Sequence, residues 1–399
     1  MDVAPAAAPP SNGPQPRSPL LAIRDLTVSF RIEDHSVTAV EDVSFDVYPG
    51  EVLGIVGESG SGKSVTAMSI LRLIPDPPGH IDRGSVMLEG VGDLMSLPHD
   101  QLRQVRGRHI SMIFQEPMTA LNPVFTVGMQ LTEAYRAHFP VRRREAIERA
   151  VEFLSLVGIS DARKRMRDYP HQFSGGMRQR VMIAMALICE PRLVIADEPT
   201  TALDVTTQAE ILELMLELKN RTASNAIMLI THDLAVVAET CDRVLVMYGG
   251  RVQEVGSVRQ IFHDPKHPYT VGLLRSLPSL APRGQRLYAI PGNVPSIEEM
   301  PDGCKFCTRC DEVMDICRTV EPPLIPLSDG RLVRCHLYQT PAAPPQHAHS
   351  QVDEAVVADD HRPSPGDSPR SRSNAPTRAT SDEPATTGRA DESPRDGGP

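Results

Sequence analysis

The stretch Ile55-Val56-Gly57-Glu58-Ser59-Gly60-Ser61-Gly62-Lys63-Ser64 constrains this chain more than any other. It reads G-x-x-x-x-G-K-S, behind the short apolar run Val52 to Val56 and ahead of Val65 to Leu71, whose residues suit a helix. Strand, glycine-rich loop and helix together are the setting a phosphate-binding P-loop requires. Gly57, Gly60 and Gly62 let successive backbone N–H groups turn inward around phosphate oxygens, where a Cβ would obstruct them. The positive end of the following helix adds to that field. Lys63 is placed to reach β- and γ-phosphates as a point charge, and the Ser64 hydroxyl to ligate Mg²⁺. The candidate nucleotide-contacting set is therefore Gly57, Ser59, Gly60, Ser61, Gly62, Lys63, Ser64 and Val65. Such a pattern also arises by chance, so the argument needs partners elsewhere in the chain.

The order of textures gives the organisation. Residues 1–19 are small and Pro-rich with no periodic apolar pattern, which predicts a disordered N-terminus without the basic start and apolar run of a secretory signal. Strand-like runs follow at Leu20 to Phe30 and His35 to Val47, then a turn at Tyr48-Pro49-Gly50-Glu51 leads into the P-loop strand. Pro75 to Pro78 breaks the pattern after the P-loop helix; Gly84 to Gly90 reads as a short strand, and Ile110 to Phe114 as an apolar strand ending on Gln115. Val127 to Ala137, Arg142 to Leu156 and Met177 to Leu187 show helical spacing, a helical insert over about 116–190. Leu193 to Ala196 and Ala226 to Ile230 return to buried strands, with an amphipathic helix over Gln208 to Leu218 between them. Asp233 to Cys241 reads as a helix. Val244 to Met247 and Arg251 to Val255 flank Tyr248-Gly249-Gly250 as a hairpin. Beyond Ile261 the chain turns Pro-rich, and residues 341–399 contain no aromatic, Leu, Ile or Met, which predicts a disordered tail dispensable for catalysis. No run approaches the roughly 18 apolar residues of a membrane span. The formal net charge of -10 argues against nucleic acid as a main partner.

The partners of the P-loop lie downstream. Leu193-Val194-Ile195-Ala196-Asp197-Glu198 is an apolar strand delivering two carboxylates at its end. Phosphoryl transfer to water needs one carboxylate to organise Mg²⁺, assigned to Asp197, and one group to orient or deprotonate the water, assigned to Glu198. Ser174-Gly175-Gly176 precedes a helix and offers a second anion site, although by itself it reads equally well as an N-cap with a flexible approach.

These residues, in this order, resemble the ATP-binding subunits of ABC transporters: the P-loop, Gln115 after a strand, Ser174-Gly175-Gly176, Asp197-Glu198, Ala202-Leu203-Asp204, and His232 at a strand end. Phe173 and Met177 replace the outer members of the family's usual L-S-G-G-Q. Phe114-Gln115-Glu116-Pro117-Met118-Thr119-Ala120-Leu121-Asn122-Pro123, Tyr169 to Arg180 and Pro265-Lys266-His267-Pro268-Tyr269-Thr270 resemble the dipeptide, oligopeptide and nickel importers within it. The resemblance implies an α/β fold with a P-loop NTPase (RecA-like) core, an antiparallel β-subdomain, an α-helical insert, a small Cys-rich C-terminal region and a disordered tail. It implies an ATPase domain over 20–260 and a C-terminal extension over 261–340. It further implies that Phe30 stacks on adenine, that Gln115 senses the γ-phosphate and Mg²⁺, that Ser174 and Gly176 meet the nucleotide of the opposite subunit, that Asp204 lies at the dimer seam, and that His232 holds the γ-phosphate. The implied activity is ATP hydrolysis energising import of peptides, or of nickel or another small solute. The implied partners are a second ATPase subunit, identical or homologous, two transmembrane permease subunits and, indirectly, an extracytoplasmic solute-binding protein. The implied location is peripheral, on the cytoplasmic face of the membrane. Soluble ABC ATPases of DNA repair or translation are a rival class, but they carry a coiled-coil insertion or two cassettes, and neither is present. A non-hydrolysing regulator is a second rival, opposed by Glu198 and His232.

Of seven cysteines, Cys189 and Cys241 sit in apolar or helical runs and read as core. Cys304, Cys307, Cys310, Cys317 and Cys335 cluster, and five thiols so close in sequence suit a soft metal centre. C-x2-C-x2-C begins like an iron–sulfur run, while structural zinc more often uses two separated pairs. The family pattern maps onto Cys304, Cys310, Cys317 and Cys335 as ligands of a [4Fe–4S] cluster, with zinc the alternative, and leaves Cys307 as an extra residue.

Overall fold

Strands that are apolar without alternation need cover on both faces. The computed structural model describes residues 18–115, 120–200, 205–220, 225–277 and 288–339. In it, every position of β3 (Val52–Val56), β7 (Leu193–Asp197) and β8 (Ala226–Ile230) is buried. With β6 (Ile110–Ile113) and β9 (Arg243–Tyr248) they form a parallel group in the order β9-β3-β8-β7-β6. Because the strands are parallel, their C-terminal ends share one edge. That edge therefore carries the P-loop after β3, Glu198 after β7, Thr231-His232 after β8 and Gln115 beyond β6. Ligand sites of open α/β sheets lie at this edge.

The side chains of each strand divide by parity, as a pleated strand requires. Leu53 and Ile55 of β3, Met228 and Ile230 of β8, and Leu245 and Met247 of β9 point into one core. That core is shared with the helix Lys63–Ile70 and with a second, antiparallel sheet. The second sheet runs β2-β1-β4-β5, from β1 (Leu21–Ile32), β2 (His35–Val47), β4 (Gly79–Leu88) and β5 (Gly92–Asp93). Val52, Ile227 and Leu229 point the other way, into a core built with the helices Val127–Arg136, Arg143–Leu156 and Gly175–Leu187. Val244, Val246 and Tyr248 face a third core, closed by Tyr269, Phe306, Cys304, Cys307 and Cys317.

The last part of the chain continues the main sheet. β9 turns into β10 (Arg251–Ser257) as an antiparallel hairpin with Tyr248 opposite Arg251. Gly249 (φ 55°) and Gly250 (φ 74°) both take the left-handed conformation a two-residue primed turn requires. Beyond β10 come β12 (Leu332–Val333) and β11 (Ile325–Pro326), so the C-terminal extension adds two short strands at the sheet edge. The structure departs from the sequence reading in three places. β4 starts at Gly79 rather than Gly84, because its register with β1 runs back to Phe30 opposite Gly79. The Pro-rich segment contains a helix, Pro268–Arg275, whose N-cap His267 accepts a hydrogen bond from Tyr269 N. Strands of two residues are too short to show a period. Cys189 and Cys241 pack in or against the helical core. The two expected disordered termini lie outside the described residues apart from Ser18 and Pro19.

Candidate functional site

The P-loop turns on glycines at two tight points. A Cβ on Gly57 (φ 151°) would stand 2.2 Å from the Met247 carbonyl oxygen of the neighbouring strand. Gly62 (φ 94°) is left-handed and faces the Ala39 carbonyl and Gly250, so the β9–β10 turn and β2 brace the loop. Gly250 N donates to Ser61 O at 3.2 Å, and Glu41 N to Gly250 O at 2.9 Å. Lys63 is buried and folds back over the loop, donating to Gly57 O (2.8 Å), Glu58 O (2.9 Å) and Ser61 Oγ (3.3 Å). Burial pulls its ammonium below the usual lysine range, against the opposing pull of Glu198, Asp197 and Glu58. Ser59 and Gly60 are exposed, while Val65 packs on the core behind the helix.

Across the strand edge, Ser64 Oγ donates to Asp197 Oδ1 at 3.0 Å. Burial pushes the Asp197 carboxyl up, with the Ser64 bond opposing that shift. Two hard oxygens at hydrogen-bond distance suit a small divalent cation. Glu198 follows at once in a left-handed conformation (φ 47°), uncommon for a side-chain-bearing residue, which turns the chain at the strand end. Its N–H donates to Ile230 O (2.9 Å) of β8. Its Oε2 accepts from Gln115 Nε2 at 3.2 Å and lies 3.4 Å from His232 Nδ1. Gln115, Glu198 and His232, from the ends of three strands, thus meet around one carboxylate oxygen. Such a group can orient a water next to the phosphate-binding loop.

The remaining expected residues are placed as follows. Ser174 N-caps the helix Gly175–Leu187, accepting from Met177 N at 3.3 Å, and both Ser174 and Gly175 are exposed. Phe173 is buried in the helical core, so the departure from leucine at that position is a packing substitution. Phe30 is half-buried, with its ring against Gly79. Asp204, and Glu116 to Thr119 beside Gln115, lie outside the described residues. Cys304, Cys307, Cys317 and Cys335 are buried and Cys310 is half-buried. Burial pushes the Cys304 thiol up to about 12 and the Cys310 thiol to about 11; each also feels Cys317 and Cys335. Among the described residues, however, no three His, Cys, Asp or Glu side chains are grouped to hold a metal ion. The zinc and iron–sulfur expectations therefore find no ready-made metal pocket.

Sequence reasoning missed three site residues. Tyr269 accepts from Glu58 N in the P-loop (2.8 Å), Arg309 pairs with the Glu58 side chain, and Gln179 donates to Pro199 O just after Glu198. Tyr269 lay within a motif already singled out, but nothing local in the sequence says what its hydroxyl meets.

The sheet order, the loop and the carboxylate pair define a P-loop ATPase of the ATP-binding cassette class. The "ABC transporter" family model matches residues 40–201, and the model "Oligopeptide/dipeptide transporter, C-terminal region" matches 253–317. A putative peptide import ATP-binding protein of Brucella melitensis is 50% identical over 337 residues, covering 82% of this chain and 99% of that protein. The oligopeptide transport ATP-binding protein OppD of Salmonella typhimurium is 51% identical over 325 residues, covering 82% and 96%. AppD of Bacillus subtilis, also named an oligopeptide transport ATP-binding protein, is 49% identical over 326 residues, covering 82% and 99%. Among solved structures, the dimeric ATP-binding cassette MJ0796 bound to ADP and Pi matches with a TM-score of 0.54 at 26% identity, covering 60% of this chain and 99% of that one. The chain belongs to the family of ABC transporter ATP-binding subunits.

Proposed function

We propose that this chain is the ATP-hydrolysing subunit of a membrane ABC transporter that imports di- or oligopeptides. The observation that carries the hydrolytic part is the meeting of Gln115 and His232 on Glu198, beside Lys63 and the Ser64–Asp197 pair. In this reading Glu198 orients the attacking water. His232 and Lys63 stabilise charge on the transferring phosphoryl group, so the chemistry is positioning and electrostatics. Ser64 and Asp197 would hold Mg²⁺, whose charge offsets that of the phosphates. Phe30 would meet the adenine, and Asp204 the dimer seam. Ser174, Gly175 and Gly176 would complete the site of a second ATPase subunit; the exposure of Ser174 and Gly175 at a helix start supports this.

Among the described residues no helix is long and apolar enough to cross a membrane. In this reading two transmembrane permease subunits form the path for the peptide, and this chain lies peripherally on the cytoplasmic face. Phe114, Val124, Phe125 and Met129, close to Gln115 in the sequence, are large exposed apolar side chains, and they support docking of a permease on this part of the chain. The import of peptides rather than nickel rests on the names of the relatives. Reconstitution with the two permease subunits in vesicles tests it: ATP hydrolysis rises with peptide-loaded solute-binding protein. Stimulation by nickel but not by peptide would overturn it. For the cysteines we propose a [4Fe–4S] cluster on Cys304, Cys310, Cys317 and Cys335; this rests on the match to the family's cysteine pattern, and it requires the four side chains to draw together beyond their present grouping. Anaerobic purification should then yield iron and acid-labile sulfide; zinc without sulfide, or no metal, would refute it.

A further inference from the structure

Glu58 is unexplained by nucleotide binding. A carboxylate inside a loop that cradles phosphates acts against them by like-charge repulsion. Glu58 is not left to do so. Arg309 forms a two-pronged pair with it, Nη1 to Oε2 at 2.5 Å and Nη2 to Oε1 at 3.1 Å. The Arg309 side chain is only 5% exposed. Its Nε donates to Pro291 O at 2.9 Å, and the Tyr248 ring lies beneath the guanidinium, 5.8 Å to the centroid. The same loop residue is gripped a second time, through Glu58 N to Tyr269 Oη at 2.8 Å. Tyr269 is itself held in place. The fully buried Glu254 carboxylate accepts from Lys266 N and His267 N, both at 2.9 Å, and His267 caps the helix that carries Tyr269. Both grips come from the C-terminal extension.

We propose that Arg309, together with Tyr269, is a positioning residue for the P-loop: it neutralises Glu58 and draws the carboxylate away from the phosphate-binding amides, so that the C-terminal extension sets nucleotide affinity. The inference rests on the P-loop reading above. Arg309 lies between Cys307 and Cys310, so whatever orders that segment also orders the clamp.

The test measures Mg²⁺-dependent binding of a fluorescent N-methylanthraniloyl ATP to the full chain, competed with ATP, alongside thermal melting. Arg309→Ala exposes the uncompensated carboxylate and should weaken binding about tenfold, a difference of about 1.4 kcal/mol. Arg309→Lys, which keeps the charge without the fork, should fall between. Glu58→Gln should bind like the parent. The double variant Glu58→Gln/Arg309→Ala should recover the parent's affinity while melting no higher than Arg309→Ala. That split between affinity and stability is what a purely structural role for Arg309 would not produce. Parent-like binding by Arg309→Ala would overturn the proposal, as would a double variant as weak as the single. If Arg309→Ala does not fold, Arg309→Lys and the double variant carry the same comparison. Lys63→Ala serves as the separate control: if it binds ATP like the parent, the P-loop reading fails whatever Arg309 does.

Discussion

Replacing Glu254 by Gln tests how the extension is fastened. The side chain is fully buried, and each oxygen accepts one backbone N–H, from Lys266 and from His267. An amide of the same shape turns one acceptor into a donor that faces an N–H. One buried N–H then has no partner, at about 1–3 kcal/mol, and the remaining bond loses its charge assistance. Arg331, 3.6 Å from Oε1, keeps Asp264 and Asp329, so no charge is stranded. The sum is about 2–3 kcal/mol, which at about 2.1 cal/mol/K of unfolding entropy per residue over roughly 300 residues lowers Tm by roughly 3–5 °C. Scanning calorimetry at pH 7 measures the drop, and hydrogen exchange should localise it to the amides of Lys266 and His267. A Tm within about 1 °C of the parent, with those amides still protected, would refute the view that Glu254 anchors the segment.

Gly57→Ala should lose MgATP binding by about tenfold or more, since its Cβ would stand 2.2 Å from the Met247 carbonyl; a titration at parent affinity would show that the loop can relax around it. His267 is completely buried and its imidazole is pushed down to about 3, chiefly by that burial, while in the unfolded chain it titrates near 6.5. Between those values the unfolded chain binds the extra proton. The contribution of neutral His267 is therefore complete above pH 6.5 and is lost progressively as pH falls towards 3. His267→Asn keeps a capping acceptor, so its Tm should fall less steeply than the parent's between pH 6.5 and 4.5; parallel profiles would contradict this.

What could be read in the sequence was local. Apolar runs of four or five residues gave β3, β7 and β8, the G-x-x-x-x-G-K-S spacing gave Lys63 and Ser64, and the end of an apolar strand gave Asp197 and Glu198. The parallel order of the strands then brings Gln115 and His232 to Glu198, a meeting that no local motif states. The extension was harder. Its strands are two residues long, and its helix hides behind prolines although Pro268 is well suited to a first helical turn. The grip of Arg309 on Glu58 joins residues 251 positions apart, which no periodicity or motif can announce.

The central claim, that the edge of the parallel sheet hydrolyses ATP through Glu198, is tested most directly by Glu198→Gln in the assembled transporter. Turnover should fall by about 10²–10⁴-fold, the usual loss on removing a group that orients the attacking water, while MgATP affinity stays within about threefold of the parent. Hydrolysis at the parent rate would mean that the carboxylate joined by Gln115 and His232 is not the one that acts on water.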